Sequence, residues 1–345
     1  MLEDCNAPKF PVPMTDDKDY IKQLESAEPP TNDQDKAHLQ LSMRFNYRQA
    51  IGELIYAMVT CRPDISFPLI KLSQHSANPA QIHYEAVVNI FRYLHATIDD
   101  GIIYWRKTPN MSLTEHPMPQ VHHDNYTPSD RKPDTNPSLL NAAVDSDWAG
   151  DSTHRRSVTG IILRIAGGCV FYKTKYQDTI ALSTTEAEFT AACDAGKAIL
   201  YVRSILHELH MHQDEATPLY IDNNGALLMG NAQQPTRRTR HMDLKKFSIQ
   251  HWIKKDLMLM FRIKSTDNWS DVMTKQTGRQ LFYRHYDYIM GRIIPNYVKL
   301  SNSQSTVSTI VANTYYSSLQ NDNMIYSPSQ ASMCSRNMEG ISCLG

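Results

Sequence analysis

Apolar residues recur at helical spacing in two parts of the chain. Between residues 43 and 106, three apolar stripes are separated by breaks at Pro63 and Pro79, which predicts a small helical segment closed by a short strand at 101–105. Farther along, Ser183 and Glu186 have the spacing of a capping box. The apolar positions after them alternate at intervals of three and four, which predicts a long sheet-packing helix ending near residue 212.

Short apolar runs predict the strands of that sheet. A hairpin signal, Gly167-Gly168, separates the second and third runs, so three antiparallel strands in series are the simplest interpretation. The predicted fold class is therefore α/β, with a mixed five-stranded sheet and flanking helices. The runs are 142–145, 158–166, 169–173, 218–221 and 257–263.

The remaining segments show no sustained period. Residues 1–42 and 291–345 are predominantly polar, so we predict a disordered lead-in and a disordered tail. Residues 107–140 contain several Pro, Asn, Asp and His residues and are predicted to be a linker. The predicted domains are the helical segment at 43–106 and the α/β domain at 141–290.

Composition narrows the function classes. Among 345 residues, 35 Lys and Arg oppose 36 Asp and Glu, so any nucleic-acid binding must come from local basic patches. No apolar run reaches the roughly 18 residues that a membrane span needs. The six cysteines form no C-x-x-C pair, so neither a zinc site nor a disulfide framework is indicated.

Four acids occupy informative places in the predicted fold. Asp145 ends the first strand, Asp222 ends the fourth, Glu188 lies early in the long helix, and Asp271 lies in a late helix. If the first and fourth strands are neighbours, their ends lie about 5 Å apart, and a packed helix can aim its first turn at the same point. Such carboxylates repel one another unless divalent cations bind them, and oxygen ligands favour Mg²⁺ or Mn²⁺ over zinc.

Residues 142–275 resemble the ribonuclease H domain of copia-type LTR retrotransposons. Upstream, residues 47–56 and 62–67 resemble the end of the reverse transcriptase, its thumb and connection, so the resemblance covers roughly residues 43–290. The ribonuclease H motifs are Val144-Asp145-Ser146-Asp147-Trp148-Ala149-Gly150-Asp151, Ala181-Leu182-Ser183-Thr184-Thr185-Glu186-Ala187-Glu188-Phe189, Tyr220-Ile221-Asp222-Asn223 and Asp271-Val272-Met273-Thr274-Lys275.

The resemblance implies endonucleolytic hydrolysis of the RNA strand of RNA–DNA hybrids. It implies two ions, Mg²⁺ or Mn²⁺, held by catalytic Asp145, Glu188, Asp222 and Asp271. The implied partners are the hybrid and the palm and fingers of a reverse transcriptase, in the same polyprotein or in trans, with no membrane. The implied location is intracellular, in a cytoplasmic virus-like particle or the nucleus.

The alternative is a catalytically silent relic, or a nucleic-acid-binding fragment of a larger RNA-directed DNA polymerase. The paired aspartates of a polymerase palm should lie on an apolar hairpin. Asp16-Asp17 and Asp99-Asp100 both lack apolar strand flanks. We therefore expect a fragment of a Pol polyprotein or a truncated gene, and no DNA synthesis by this chain alone.

Several assignments stay open at this stage. Glu186 competes with Glu188 for the metal, although its spacing suits a capping role better, and Asp147 is expected to support its loop. Ordinary surface charge is the alternative for the basic residues, and a solvated helix start is the alternative for His241. The predicted substrate-binding residues are Arg155, Arg156, Asn223, Arg238, Arg240, His241 and Lys245.

Overall fold

A five-stranded sheet lies at the centre of the part of the chain that the computed structural model describes, residues 11–17, 19–105, 136–150, 155–231 and 243–294. The strands are β1 (Asn141–Asp147), β2 (Val158–Ile165), β3 (Gly168–Tyr176), β4 (Thr217–Ile221) and β5 (Met258–Arg262). Their spatial order is β3-β2-β1-β4-β5. The first three strands are antiparallel in series, whereas β1, β4 and β5 are parallel. The predicted mixed five-stranded α/β sheet is confirmed, and β1 and β4 are neighbours, which is the condition for their acids to meet.

One face of the sheet is covered by three helices that follow β3 in sequence: α6 (Thr184–Glu208), α7 (Asn224–Asn231) and α8 (Asp243–Lys254). We call them the α6 layer. The apolar stripe predicted for α6 is buried against alternate side chains of the sheet, because residues of one strand face opposite sides in turn. The buried stripe and its partners include Phe189, Ala192, Ala195, Ile199, Val144, Leu163 and Leu219.

The other face is covered by the composite layer, which combines two distant parts of the chain. Aromatic and branched side chains from both parts form one core with Ala143, Ile162 and Tyr220 of the sheet. Its elements are α1 (Tyr20–Ser26), α2 (Asp33–Met43), α3 (Tyr47–Thr60), α4 (Ser66–Ser73), α5 (Gln81–Ala96), the 3₁₀ helices Ser265–Asp267 and Trp269–Met273, and α9 (Arg279–Ile289).

The composite layer corrects the interpretation of the N-terminal third. Residues 20–43, predicted to belong to a disordered lead-in, form two helices. Leu24 is buried in the core, and the Asn32 side chain caps α2 by accepting from the Asp35 N–H at 2.8 Å. The helical segment at 43–106 shares its core with the sheet instead of packing on itself alone.

Smaller differences concern local structure. Residues 101–105 form no strand, although the Ile103 N–H donates to the Met290 carbonyl at 2.9 Å. Asp271 lies in a 3₁₀ helix, where a longer helix was predicted. Most of the predicted linker and nearly all of the predicted tail lie outside the described residues. Within the described part, none of the helices combines the length and hydropathy that a membrane crossing needs.

Candidate active site

Asp145 lies in β1, the central strand, and its side chain is fully buried. It is paired with Gly160 of β2. A Cβ atom on Gly160 would lie 2.6 Å from Met273 Cβ and 2.7 Å from Thr274 Cγ2, closer than real Cβ contacts allow. Glycine at this position therefore lets the segment that follows β5 pack tightly over the strand, beside Asp145.

Two residues of that segment bond the Asp145 carboxylate directly. The ammonium of Lys275 lies 2.8 Å from Oδ1, and the hydroxyl of Thr274 donates to Oδ2. The same ammonium lies 3.4 Å from Oδ1 of Asp271. Asp145 and Asp271 are thus held together around one positive charge.

Asp271 is positioned by an anchor on the central strand. The Asn268 side chain donates to the Val144 carbonyl at 3.1 Å, and its oxygen accepts from the Ser270 N–H at 3.3 Å at the start of the 3₁₀ helix. This arrangement fixes where the short helix begins relative to β1. Asp271, in the first turn, therefore lies against the end of the strand that carries Asp145.

Glu188 enters the site from the opposite layer. Its Oε1 accepts from the Ser146 N–H at 3.2 Å, whereas its buried Oε2 has no hydrogen-bond partner among the described residues. Glu186 lies at the helix cap instead. Its N–H donates to Ser183 Oγ at 3.2 Å, and its carboxylate accepts from the Leu182 N–H at 2.9 Å. The structure brings Glu188, and not Glu186, to the other acids.

Asp222 completes the cluster just beyond the end of β4. Ser265 donates to its Oδ2 at 2.8 Å. Asp145, Glu188 and Asp222 each offer one carboxylate oxygen, and these three oxygens all lie within 4.8 Å of one another. Because β1 and β4 are parallel neighbours, the acids at their ends meet at one edge, as the strand pattern predicted.

The cluster is electrostatically unfavourable for so many carboxylates. Burial, followed by the charge of Asp145, raises the pKa of Glu188 and of Asp271 well above the ordinary values, and the same causes raise the pKa of Asp222. Burial lowers the pKa of Lys275, but the charges of Asp145 and Asp271 outweigh burial and raise it overall. Among the described residues, one lysine, Lys275, faces the four carboxylates, so they can accept further positive charge.

These residues fit a hard divalent cation. The donor set consists of carboxylate oxygens, which Mg²⁺ and Mn²⁺ accept and which zinc sites use less often. The unpaired Oε2 of Glu188 is a buried acceptor without a donor, which a bound cation would satisfy. Asp145, Glu188 and Asp222 could hold one ion, and Asp145 with Asp271 could hold another.

The loop after β1 is supported from the composite layer. The ammonium of Lys71, on α4, lies 3.2 Å from Glu25 Oε1 and also donates to the Gly150 carbonyl. A Cβ on Gly150 would collide with the Asp147 carboxylate, at 2.2 Å from Oδ2. Burial and the charge of Asp145 raise the pKa of Asp147. Asp147 thus ends β1, directly before a loop that Lys71 of α4 holds at Gly150.

The predicted substrate-binding residues that the structure describes have different local surroundings. Arg155 and Arg156 are exposed. The Asn223 side chain accepts from the Ala226 N–H at 3.0 Å and thereby caps α7, and Lys245 donates to Thr190 Oγ1 at 2.9 Å on α6. Arg238, Arg240 and His241 lie outside the described residues.

Sequence reasoning missed three side chains that the structure brings to the site. Thr274 and Lys275 belong to a motif that was recognised without a role for either, and Lys71 was placed only on a helix. A lysine four residues after an acid is a detectable signal for Lys275, because such residues meet on one helical face. Lys71 gives no comparable signal, since its partners are distant in sequence.

The sheet order and the acids at its edge define the class: the chain has a ribonuclease H-like α/β fold. The chain is homologous to the retrovirus-related Pol polyproteins of copia-type transposons. It is 30% identical over 253 residues to the Pol polyprotein from transposon TNT 1-94 of Nicotiana tabacum, which is 73% of this chain and 17% of that protein. It is 26% identical over 236 residues to the one from transposon RE2 of Arabidopsis thaliana, covering 68% of this chain and 14% of that protein.

The chain therefore spans less than a fifth of the length of these relatives. No family model matches it. Among solved structures, a compost-derived ribonuclease H1, LC11-RNase H1, in complex with an RNA/DNA hybrid is similar, with a TM-score of 0.30 and 12% identity, covering 39% of this chain and 93% of that one. Because this TM-score is low, the family rests on the sequence homology and the fold class on the strand order.

Proposed function

We propose that this chain catalyses metal-dependent endonucleolytic hydrolysis of the RNA strand of RNA–DNA hybrids, as part of a copia-type retrotransposon reverse transcriptase. The observation that carries the proposal is the convergence of Asp145, Glu188 and Asp222 within 4.8 Å, beside Asp271. The homologous Pol polyproteins support the retrotransposon context.

Each acid has a defined task in this proposal. Asp145, Glu188 and Asp222 would hold one ion, and Asp145 with Asp271 would hold the other. Bound Mg²⁺ or Mn²⁺ would supply the Lewis acidity that activates water and stabilises the leaving oxygen. Thr274 orients the Asp145 carboxylate through its hydroxyl, and Asn268 holds Asp271 against β1.

The hybrid would be recognised through its backbone. Arg155 and Arg156 are exposed directly before β2, and Lys245 lies beside α6, and their guanidinium and ammonium groups can bind phosphates. Contacts to phosphate and 2′-hydroxyl groups carry little sequence information, so we expect cleavage with weak sequence preference. We propose the palm and fingers of the same polyprotein as protein partner, and a virus-like particle or the nucleus as location.

Cleavage of a labelled RNA–DNA hybrid by the full chain tests this function. We expect cleavage with Mg²⁺ or Mn²⁺ and none in excess EDTA, and Asp145→Asn should abolish it while circular dichroism stays unchanged. Asp178→Asn is the matched control, because Asp178 is an exposed acid outside the cluster. Cleavage that persists in EDTA would refute the metal dependence, whereas hybrid binding without cleavage would favour the silent relic.

A further inference from the structure

The four acids divide into two sides around Asp145. On one side, Asp145, Glu188 and Asp222 converge, and the buried Oε2 of Glu188 has no hydrogen-bond partner among the described residues. On the other side, Asp145 and Asp271 share the Lys275 ammonium, at 2.8 and 3.4 Å. Among the described residues, no ammonium or guanidinium group pairs with Glu188 or Asp222, whereas the Lys275 ammonium contacts both acids of the second side.

The backbone of Lys275 is fixed, whereas its side chain is partly exposed to solvent. Its N–H donates to the Asp271 carbonyl at 2.9 Å, which keeps it one helical turn after that acid. Its side chain is 35% exposed, so the ammonium has a route to solvent, whereas the Asp145 side chain has none. A lysine carries its charge on a flexible four-carbon stem. The ammonium can thus leave the two carboxylates while the backbone stays in place.

We propose that Lys275 is a built-in cation at the second metal position. With its ammonium between Asp145 and Asp271, the chain binds a single divalent ion, at Asp145, Glu188 and Asp222. A second ion binds only after the ammonium has moved away, since two cations repel each other strongly at such short range. This inference rests on the proposed function in one respect, because it requires that the cluster binds divalent metal.

The hybrid itself offers the displaced ammonium a new partner. Phosphate oxygens of a nucleic-acid backbone accept hydrogen bonds from lysine. Their negative charge would replace that of the Asp145 carboxylate as the partner of the ammonium. Lys275 would then couple the arrival of substrate to the loading of the second ion. The resting chain would hold an incomplete metal set and would complete it at the hybrid.

Counting bound Mn²⁺ without nucleic acid tests this proposal independently of cleavage. Calorimetric titration of the full chain gives the number of ions, and electron paramagnetic resonance reports two Mn²⁺ ions close enough to couple. Lys275→Met keeps much of the stem and removes the charge, and Lys275→Arg keeps the charge. Lys197→Met is the control, because Lys197 pairs with Asp194 on α6 and with none of the four acids.

We expect one Mn²⁺ per chain in the unchanged protein, Lys275→Arg and Lys197→Met, and two coupled ions in Lys275→Met. Two ions on the unchanged protein, or one on a folded Lys275→Met, would overturn the proposal. If Lys275→Met does not melt cooperatively, Lys275→Gln replaces it, and unfolding of both would show a purely structural lysine and overturn the proposal.

The metal count also separates this inference from the proposed function. If none of the folded variants binds Mn²⁺, both the inference and the proposed function are overturned. A change from one ion to two, in a chain that never cleaves the hybrid, would leave the role of Lys275 intact and overturn only the nuclease activity.

Discussion

The two layers on the sheet are built differently and serve the acid cluster differently. The α6 layer comes from one stretch of the chain after β3, and it contributes Glu188 through a capped helix. The composite layer joins residues from the first hundred positions to residues after β5, and it contributes Asp271, Thr274 and Lys275. The site therefore needs both layers in register, although only one of them is local in sequence.

The N-terminal helices therefore belong to the same folding unit as the acids. Trp269, two residues before Asp271, packs edge-on against Tyr220 of β4, with ring centroids 5.4 Å apart, and at a tilt against Tyr288 of α9, with ring centroids 5.0 Å apart. The same core continues into Leu54 of α3 and Ile90 of α5. A cooperative core of this kind links the position of Asp271 to helices that lie more than 170 residues earlier.

The largest expected effect comes from removing the N-terminal part of the composite layer. A chain that begins at residue 136 would lose Leu54, Leu72 and Ile90 from the shared core and expose the apolar side chains that pack on them, and each fully buried side chain of this kind contributes about 1.5–3 kcal/mol. Their sum approaches the typical net stability of about 5–15 kcal/mol. We expect no cooperative melting transition by circular dichroism. A chain that ends at residue 294 loses no described residue and should melt like the full chain.

A cooperative melting transition in the shortened chain would contradict this dependence on the N-terminal helices. It would mean that the sheet and the α6 layer fold without the N-terminal helices. The helical segment would then be a separate domain, as its position before the linker suggested from sequence.

The next largest effect distinguishes the two glutamates of the α6 layer. Glu188→Gln removes a charge from the cluster, so we expect a loss of several kcal/mol of transition-state stabilisation and no measurable cleavage. Glu186→Gln can still accept from the Leu182 N–H and should cost less than about 1 kcal/mol of stability, with most activity retained. The measurement is the single-turnover cleavage rate at saturating Mg²⁺, with circular dichroism to verify folding. An active Glu188→Gln beside a dead Glu186→Gln would reverse their roles.

These two layers also mark how far the sequence could predict the structure. The α6 stripe and the capping box are local patterns, so the helix, its buried face and the position of Glu188 followed from spacing. The acids of β1 and β4 could be placed together only on the condition that these strands are neighbours, which the structure meets. The predictable part of the site is the part that depends on short-range periodicity.

The composite layer was less predictable because its partners are distant in sequence. Residues 20–43 are mostly polar, and they order because Leu24 packs on a core and because the Leu24 carbonyl lies 2.8 Å from His83 Nε2 on α5. No window of sequence contains both partners. Lys275 was likewise overlooked, since its role depends on Asp145, 130 residues earlier.

Alanine substitutions at Gly160 and Gly196 test how well each layer tolerates an added methyl group. Gly160→Ala would push Met273 and Thr274 away from β2, and overpacking of this kind costs about 1–3 kcal/mol. Gly196→Ala would press on the Trp252 ring at 2.3 Å, but it gains up to about 1 kcal/mol of helix propensity. We expect both to lower the urea midpoint, with Gly160→Ala affected more.

Cleavage rates under folding conditions then separate stability from geometry. Gly160→Ala should also slow cleavage, because the displaced segment carries Asp271 and Lys275. Gly196→Ala should leave the rate of the folded fraction unchanged. Equal rates in the two variants would mean that the composite layer tolerates displacement at the acids.

The smallest expected effect concerns the contact between the N-terminal helices and the loop after β1, at Gly150. Lys71→Met keeps the buried stem of the side chain and removes the ammonium that joins Glu25 to the Gly150 carbonyl. The Glu25 side chain is 26% exposed and can be hydrated, so most of the cost is the lost donor to the partly buried Gly150 carbonyl. We expect a destabilisation of about 1–2 kcal/mol and a modest decrease in cleavage rate.

A double-mutant cycle with Glu25→Gln isolates the bridge. If Lys71 acts through both partners, Glu25→Gln should weaken cleavage less than Lys71→Met, because the bond to Gly150 survives. The double variant should then be no worse than Lys71→Met alone, since Glu25 loses its role once the ammonium is absent. Additive losses in the urea midpoint would show that the two residues act independently. The Lys71 ammonium would then support the loop after β1 through the Gly150 carbonyl alone, without a contribution from Glu25.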